Sequence, residues 1–150
     1  MEYSGDEIRR FHAFLVRAGI VVLAGRVNDL ATGNIVWRKT FGTTEDLAPG
    51  PAFRLGTPNA GGPAISAGGL VFIGAAMDDY LRALDVATGE ELWKGRLPAG
   101  GQATPMIYEW DGRQYVVIYA GGHARMKTRL GDSLVAFALP ESARQTGKHL

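Results

Sequence analysis

The sequence predicts an all-β chain of short antiparallel sheets, and three observations predict it. The pattern Asp-x-Ala-Thr-Gly-x-x-x-Trp occurs twice, as Asp29–Trp37 and Asp85–Trp93, with the aspartates 56 positions apart. After Thr40 the apolar residues alternate or run unbroken over strand lengths, and the 3.6-residue period of a helix is missing. Glycine, at 21 of 150 residues, is about twice the usual ~7%, as frequent turns between short strands require. Repeats roughly 50 residues long with about four strands each are the signature of propeller blades, so the chain reads as part of a β-propeller.

Taken in order, residues 1–27 read as a lead-in. Arg9 and Arg10 precede an apolar stretch as in a signal peptide, but Arg17 splits that stretch and Glu2, Asp6 and Glu7 spoil its basic start. A short amphipathic or poorly ordered segment is the better reading. Asn28–Trp37 then predicts a hairpin, and Gly42–Pro63, rich in Gly and Pro, predicts a loop. Gly69–Ala75 is a continuous apolar run of strand length, suited to a strand buried on both faces.

The second repeat predicts strands over Tyr80–Asp85 and Glu91–Lys94. Between them Asp85 is placed to accept backbone amides, and Gly89 supplies a left-handed turn residue. One tryptophan per hairpin, Trp37 and Trp93, suggests an indole docked between adjacent sheets, at equivalent buried positions. Pro105–Trp110 and Gln114–Ala120 flank Asp111-Gly112, a strong hairpin signal. Leu134–Pro140 echoes the strand at Leu81, with Leu134, Ala136 and Phe137 standing 53 positions beyond Leu81, Ala83 and Leu84. The polar tail 141–150 reads as frayed.

Composition removes several function classes. A net charge of +1 gives no bulk case for nucleic-acid binding. Cysteine is absent, which excludes disulfides and thiolate metal sites. The apolar stretch Ala18–Ala24 is far short of the ~20 residues of a membrane helix.

The turn-plus-tryptophan unit resembles the docking repeat of the quinoprotein dehydrogenases, eight-bladed propellers that bind pyrroloquinoline quinone (PQQ). Gly56–Pro140, above all "RLPAGGQATPM" and "QYVVIYAGGH", is similar to the C-terminal end of the membrane-bound glucose, quinate and shikimate branch. Asp29–Thr43 extends the likeness more weakly. The resemblance implies that residues 28–140 are about two blades plus a closing strand. The lead-in diverges from the family, which has a Pro-Pro-Trp-Gly segment where "VVLAGRVN" stands here. It further implies oxidation of a sugar or cyclic polyol with PQQ and Ca²⁺, electrons passing to ubiquinone on the periplasmic side of the inner membrane. The catalytic aspartate, the calcium ligands and most quinone contacts would lie in earlier blades, so no catalytic or metal-binding residue is assigned here. The isolated segment is accordingly expected to be inactive and to bind no PQQ. A non-enzymatic propeller of the same repeat type, binding a protein partner without cofactor, and an inactive remnant are the alternatives.

Four residues are the candidate cofactor contacts. Gly122 and His123 end a strand, where glycine lets the backbone approach a flat ligand and an imidazole can bond a cofactor carboxylate or substrate hydroxyl. In the sugar-oxidising branch His follows this Gly-Gly, whereas alcohol-oxidising relatives carry Trp, so His123 is also the candidate substrate residue. The bland reading is that His123 caps a turn. Alcohol-oxidising relatives carry Trp immediately before the Gly-Gly that begins at Gly61, beside the quinone; here Ala60 stands in its place with Asn59 preceding it, and Asn59 alternatively stabilises its loop as an Asx turn. Arg125, Lys127 and Arg129 either favour a carboxylated polyol or coat a solvated loop. Asp29, Gly33, Trp37, Asp85, Gly89 and Trp93 are the structural repeat.

Overall fold

The structure, a computed structural model, describes residues 20–23, 26–29, 31–43, 45–46 and 56–139. Among these residues ten strands form three antiparallel sheets. The first joins β1 (Ile20–Leu23), β2 (Arg26–Asp29) and β3 (Ile35–Arg38). The second joins β4 (Ala64–Ile65), β5 (Leu70–Ile73), β6 (Tyr80–Asp85) and β7 (Glu91–Arg96) in chain order. The third joins β8 (Met106–Trp110), β9 (Arg113–Ala120) and β10 (Ser133–Ala138), with β9 central. A single 3-10 turn, Ala124–Met126, is the one helical element among the described residues.

The two repeats fold alike. Asp29 Oδ1 accepts the Ala31 amide at 2.8 Å, and Asp85 Oδ1 accepts those of Ala87 and Thr88 at 2.9 and 2.8 Å. These amide bonds, Thr88's first, hold the Asp85 carboxyl below the usual carboxylate range. Gly33 and Gly89 take φ of +74° and +69°, which lets each turn close without a Cβ penalty. Each hairpin also carries one register shift, at Val27/Asn28 and at Ala83/Leu84.

Tight turns of this kind dock the sheets. Trp37 is buried, donates its indole N–H to Val86 O at 2.9 Å, and rests against Gly89 of the next hairpin. A Cβ on Gly89 would stand 2.6 Å from the indole, so glycine serves both the turn and the docking. The expectation of an equally buried Trp93 is overturned. Trp93 is 40% exposed, lies over Gly95 of its own strand, and makes a T-shaped contact with Phe137 at 5.0 Å and 74°. The physical reason is local: its dock would be a turn glycine after β10, and no strand succeeds β10 among the described residues.

Two apolar layers hold the stack. Val27, Trp37, Phe41, Val71, Ile73 and Leu84 pack between the first and second sheets, while Phe72, Leu81, Leu97, Val116 and Ile118 pack between the second and third. The central strands of the second sheet, β5 and β6, are therefore buried on both faces, which explains the unbroken run at β5. The other face of the third sheet is open, with Met106, Trp110, Tyr119 and Leu134 each about half exposed or more. What the sequence counts as two blades and a closing strand is thus one four-stranded sheet between two three-stranded ones. Strand β1 and the start of β2 fall inside the segment read as a lead-in; the tail beyond Pro140 lies outside the described residues.

Candidate functional site

Because strands alternate in direction, the described parts of the first connection (39–43, 45–46 and 56–63) and the connections at 74–79, 97–105 and 121–132 gather at one end of the three sheets. Backbone bonds lace them together. Ala60 N–H donates to Ala75 O at 2.9 Å, and Ala75 N–H donates to Gly101 O at 2.7 Å. Gly100 N–H donates to Arg129 O at 3.0 Å, and Gly122 N–H donates to Gly100 O at 2.8 Å. Side chains continue the lacing: Gln102 Nε2 donates to Ala76 O at 2.6 Å and Thr128 Oγ1 donates to Gln102 Oε1 at 3.0 Å. The His123 amide in turn donates to Thr128 Oγ1 at 2.8 Å. All four candidate contacts, Asn59, Gly61, Gly122 and His123, stand on this interlocked end.

Each has a defined environment. Asn59 Nδ2 donates to Thr57 O at 2.9 Å, which fixes the amide's orientation, since only its NH₂ end can satisfy a carbonyl. Asn59 Oδ1 is left buried with no partner among the described residues. A buried acceptor without a donor is costly, and an ordered water or a ligand N–H or O–H would each satisfy it. His123 caps the 3-10 turn: its Nδ1 accepts the Met126 amide at 3.3 Å. The Met126 amide is shared with the His123 carbonyl at 3.1 Å, and its contact with Nδ1 favours the tautomer that carries the proton on Nε2. Capping and ligand binding are compatible, because they use different ring nitrogens.

The glycines have a packing requirement beside the ligand approach read in the sequence. Gly61, at φ +130°, faces the Gln102 carbonyl, 2.5 Å from where a Cβ would stand. Gly122, at φ +70°, has the Arg129 carbonyl closer still. The space a side chain would fill is occupied by a neighbouring loop, so both positions are glycine for loop-on-loop packing.

Sequence reasoning missed the charges behind this end. Asp78 is fully buried and holds Arg82, itself 2% exposed, through both oxygens at 2.7 and 2.6 Å. Asp78 Oδ2 also accepts the Thr43 amide and hydroxyl at 2.6 and 2.9 Å, tying the first connection to the second sheet. Arg82 Nε reaches Glu91 at 3.1 Å, and its guanidinium lies 5.3 Å over the Phe41 ring. A charged residue inside the apolar strand "YLRALD" was the available signal. A cavity of about 540 Å³ opens beside this pair, lined by Phe41, Thr43, Arg82, Leu84 and Glu91 among others; neither Asn59 nor His123 borders it.

Beside Asp78, two carboxylates are pushed in opposite directions. The hydrogen bond from Arg96 holds the Asp46 carboxyl below its usual range, whereas burial, with the Asp46 charge second, raises that of Asp79. The stabilisation from Asp46 is therefore full above its unfolded value near 3.8 and lost as pH falls through its lowered folded value. Asp46→Asn is expected to abolish this acid-side loss, measured as the urea midpoint against pH. A wild-type midpoint that stays flat below the ordinary carboxylate range would refute the assignment. Among the described residues no group of three or more His, Asp or Glu side chains is placed to hold a metal ion.

Stacked antiparallel sheets, the first locked to the second by the Trp37 indole resting on a turn glycine, define a β-propeller of the tryptophan-docking kind. The chain belongs to the PQQ family: residues 25–116 match the family described as glucose/ethanol/alcohol dehydrogenase, beta-propeller domain. It is 52% identical over 121 residues to the quinoprotein glucose dehydrogenase of Escherichia coli (strain K12), covering 77% of this chain and 15% of that protein. It is 48% identical over 121 residues to the probable quinate dehydrogenase (quinone) of Xanthomonas campestris pv. juglandis, covering 76% and 15%. A solved europium-containing methanol dehydrogenase superposes with a TM-score of 0.57 at 25% identity, covering 76% of this chain and 23% of that one. The chain thus spans about 15% of the length of the curated relatives it matches.

Proposed function

We propose that this chain supplies part of the propeller wall and one edge of the ligand site of a PQQ-dependent dehydrogenase that oxidises a sugar or cyclic polyol. The observation that carries the reading is the interlocked end itself. It holds a buried acceptor with no donor, Asn59 Oδ1, and a histidine whose Nδ1 is engaged while Nε2 presents a donor. One acceptor and one donor suit a polyhydroxylated or carboxylated ligand. The names of the relatives, glucose and quinate dehydrogenases, support the same substrate class.

Bound beside Asn59 and His123, PQQ would supply the two-electron acceptor for a hydride from the substrate carbon. The residues of this chain bind and orient. Asn59 Oδ1 accepts from an N–H or O–H of cofactor or substrate, and His123 Nε2–H donates to a hydroxyl or carboxylate. In this proposal the catalytic aspartate and a Ca²⁺ ion belong to other blades, electrons leave to ubiquinone, and the enzyme works on the periplasmic side of the inner membrane.

The test is His123→Ala at the matching position of a full-length glucose or quinate dehydrogenase. Losing a hydrogen bond to a ligand costs about 0.5–1.5 kcal/mol, up to about 3 where charge is involved. A fall of roughly tenfold in kcat/KM, about 1.4 kcal/mol, or a changed polyol preference is expected. Wild-type kinetics for every polyol combined with a lower melting temperature would reduce His123 to its capping role.

A further inference from the structure

We propose that Asp79 is a positioning residue, whose buried carboxylate holds the Gly122–His123 turn against the second sheet through the Arg129 guanidinium. The proposal rests on His123 being a ligand-facing residue. Asp79 is 1% exposed, yet neither of its side-chain oxygens has a hydrogen-bond partner among the described residues. What surrounds it is charge at slightly longer range: Arg129 Nε at 3.7 Å and Arg96 Nη2 at 3.8 Å. Arg96 is already held by both oxygens of Asp46. Arg129 makes no other salt bridge among the described residues, so Asp79 is its anchor.

The backbone of Arg129 is what makes the anchor consequential. Its carbonyl accepts the Gly100 amide and fills the space beside Gly122 that a side chain would otherwise take. Gly122 in turn donates to Gly100, and the next residue is His123. Drawing Arg129 towards Asp79 therefore seats the floor on which the His123 turn rests. The tether that Asp79 adds to these backbone bonds is ionic and not hydrogen-bonded, so it lasts only while Asp79 is charged. The groups facing Asp79 are Asp46, Asp78, Arg96 and Arg129. Burial and the neighbouring Asp46 charge raise its carboxyl above the usual range, which moves the release of Arg129 towards milder acidity.

The experiment compares Asp79→Asn, Arg129→Gln and the control Arg125→Gln in the full chain, without cofactor. Peptide-resolved hydrogen exchange, corrected for intrinsic rates, reads the protection of residues 121–131. Nitrogen NMR of the His123 ring reads the Nε2–H tautomer that the Met126 contact favours. Both Asp79→Asn and Arg129→Gln are expected to lower that protection about tenfold and to mix the tautomers, while Arg125→Gln changes neither. Wild-type protection should fall as pH drops through the Asp79 titration, and the Asn variant should show no such step. The melting temperature of Asp79→Asn should hold or rise, because a desolvated charge has been removed. Arg129 is 63% exposed, so its variant keeps the test open where Asp79→Asn fails to fold. Unchanged protection, an equal effect of Arg125→Gln, a surviving pH step, or loop and melting temperature falling together would each overturn the proposal. None of these readouts needs PQQ, so failure of the site reading would leave them standing.

Discussion

Replacing Asp78 by alanine is expected to destabilise the chain by about 3–5 kcal/mol, the range for breaking a buried ion pair from one side. Asp78 is fully buried and takes four hydrogen bonds, two from Arg82 and two from Thr43. Its loss leaves a guanidinium 2% exposed beside Glu91 at 3.1 Å, and frees the Thr43 amide and hydroxyl inside the fold. The penalty is that of an undercompensated buried charge, which exceeds anything the pair contributes as a pair. Removing both partners, Asp78→Leu with Arg82→Met, should accordingly recover most of the loss. Urea unfolding monitored by circular dichroism measures both variants. A single-variant loss below about 1 kcal/mol would mean that water reaches Arg82 readily.

The second large effect separates the two repeats. Trp37→Ala is expected to cost about 3–5 kcal/mol, as removal of a well-packed aromatic does. It opens a cavity between sheets and strands the Val86 carbonyl that the indole satisfied at 2.9 Å. Trp93→Ala should cost only about 1–2 kcal/mol, because 40% of that residue already faces solvent. Denaturation midpoints of the two variants rank them directly. Equal losses would show that the contact of Trp93 with Phe137 is a full dock after all.

The hairpins were legible because they are local. Tyr80–Asp85 begins and ends where alternation and the Asp-x-x-x-Gly turn place it, and Asp111-Gly112 adopts the paired left-handed geometry (φ +50° and +64°) that its sequence demands. The two-residue β4 escaped notice, since Ala64-Ile65 carries no period at all. Strand β1 was hidden by the charged residues ahead of it, although "IVVL" is β-branched and apolar. The unequal burial of Trp37 and Trp93 was not legible, because the two motifs are alike and only the neighbouring sheet decides whether the indole finds a turn to rest on. At the site, Asn59 and His123 were nameable from the likeness to a family, but their hydrogen bonds depend on Thr57 and Met126. The partnership of Asp78 with Arg82 and Thr43 spans up to 35 positions, and no local pattern announces a contact at that range.

The indole of Trp37 on Gly89 has a consequence for how the stack comes apart. The first sheet is bolted to the second by a residue it contributes and a turn its neighbour contributes, so the fold is a row of nearest-neighbour junctions more than a single shared core. In such a row, cooperativity passes from unit to unit, and the free energy is a sum of sheet terms and junction terms. Among the described residues the middle sheet has two junctions, and the one to the third sheet lacks an indole on a turn glycine. Among the described sheets, opening is therefore expected to begin at the third, which hydrogen exchange of β8–β10 against β5–β6 reads. The His123 turn, carried on that sheet, belongs to the least secured unit until an adjoining sheet bolts it down.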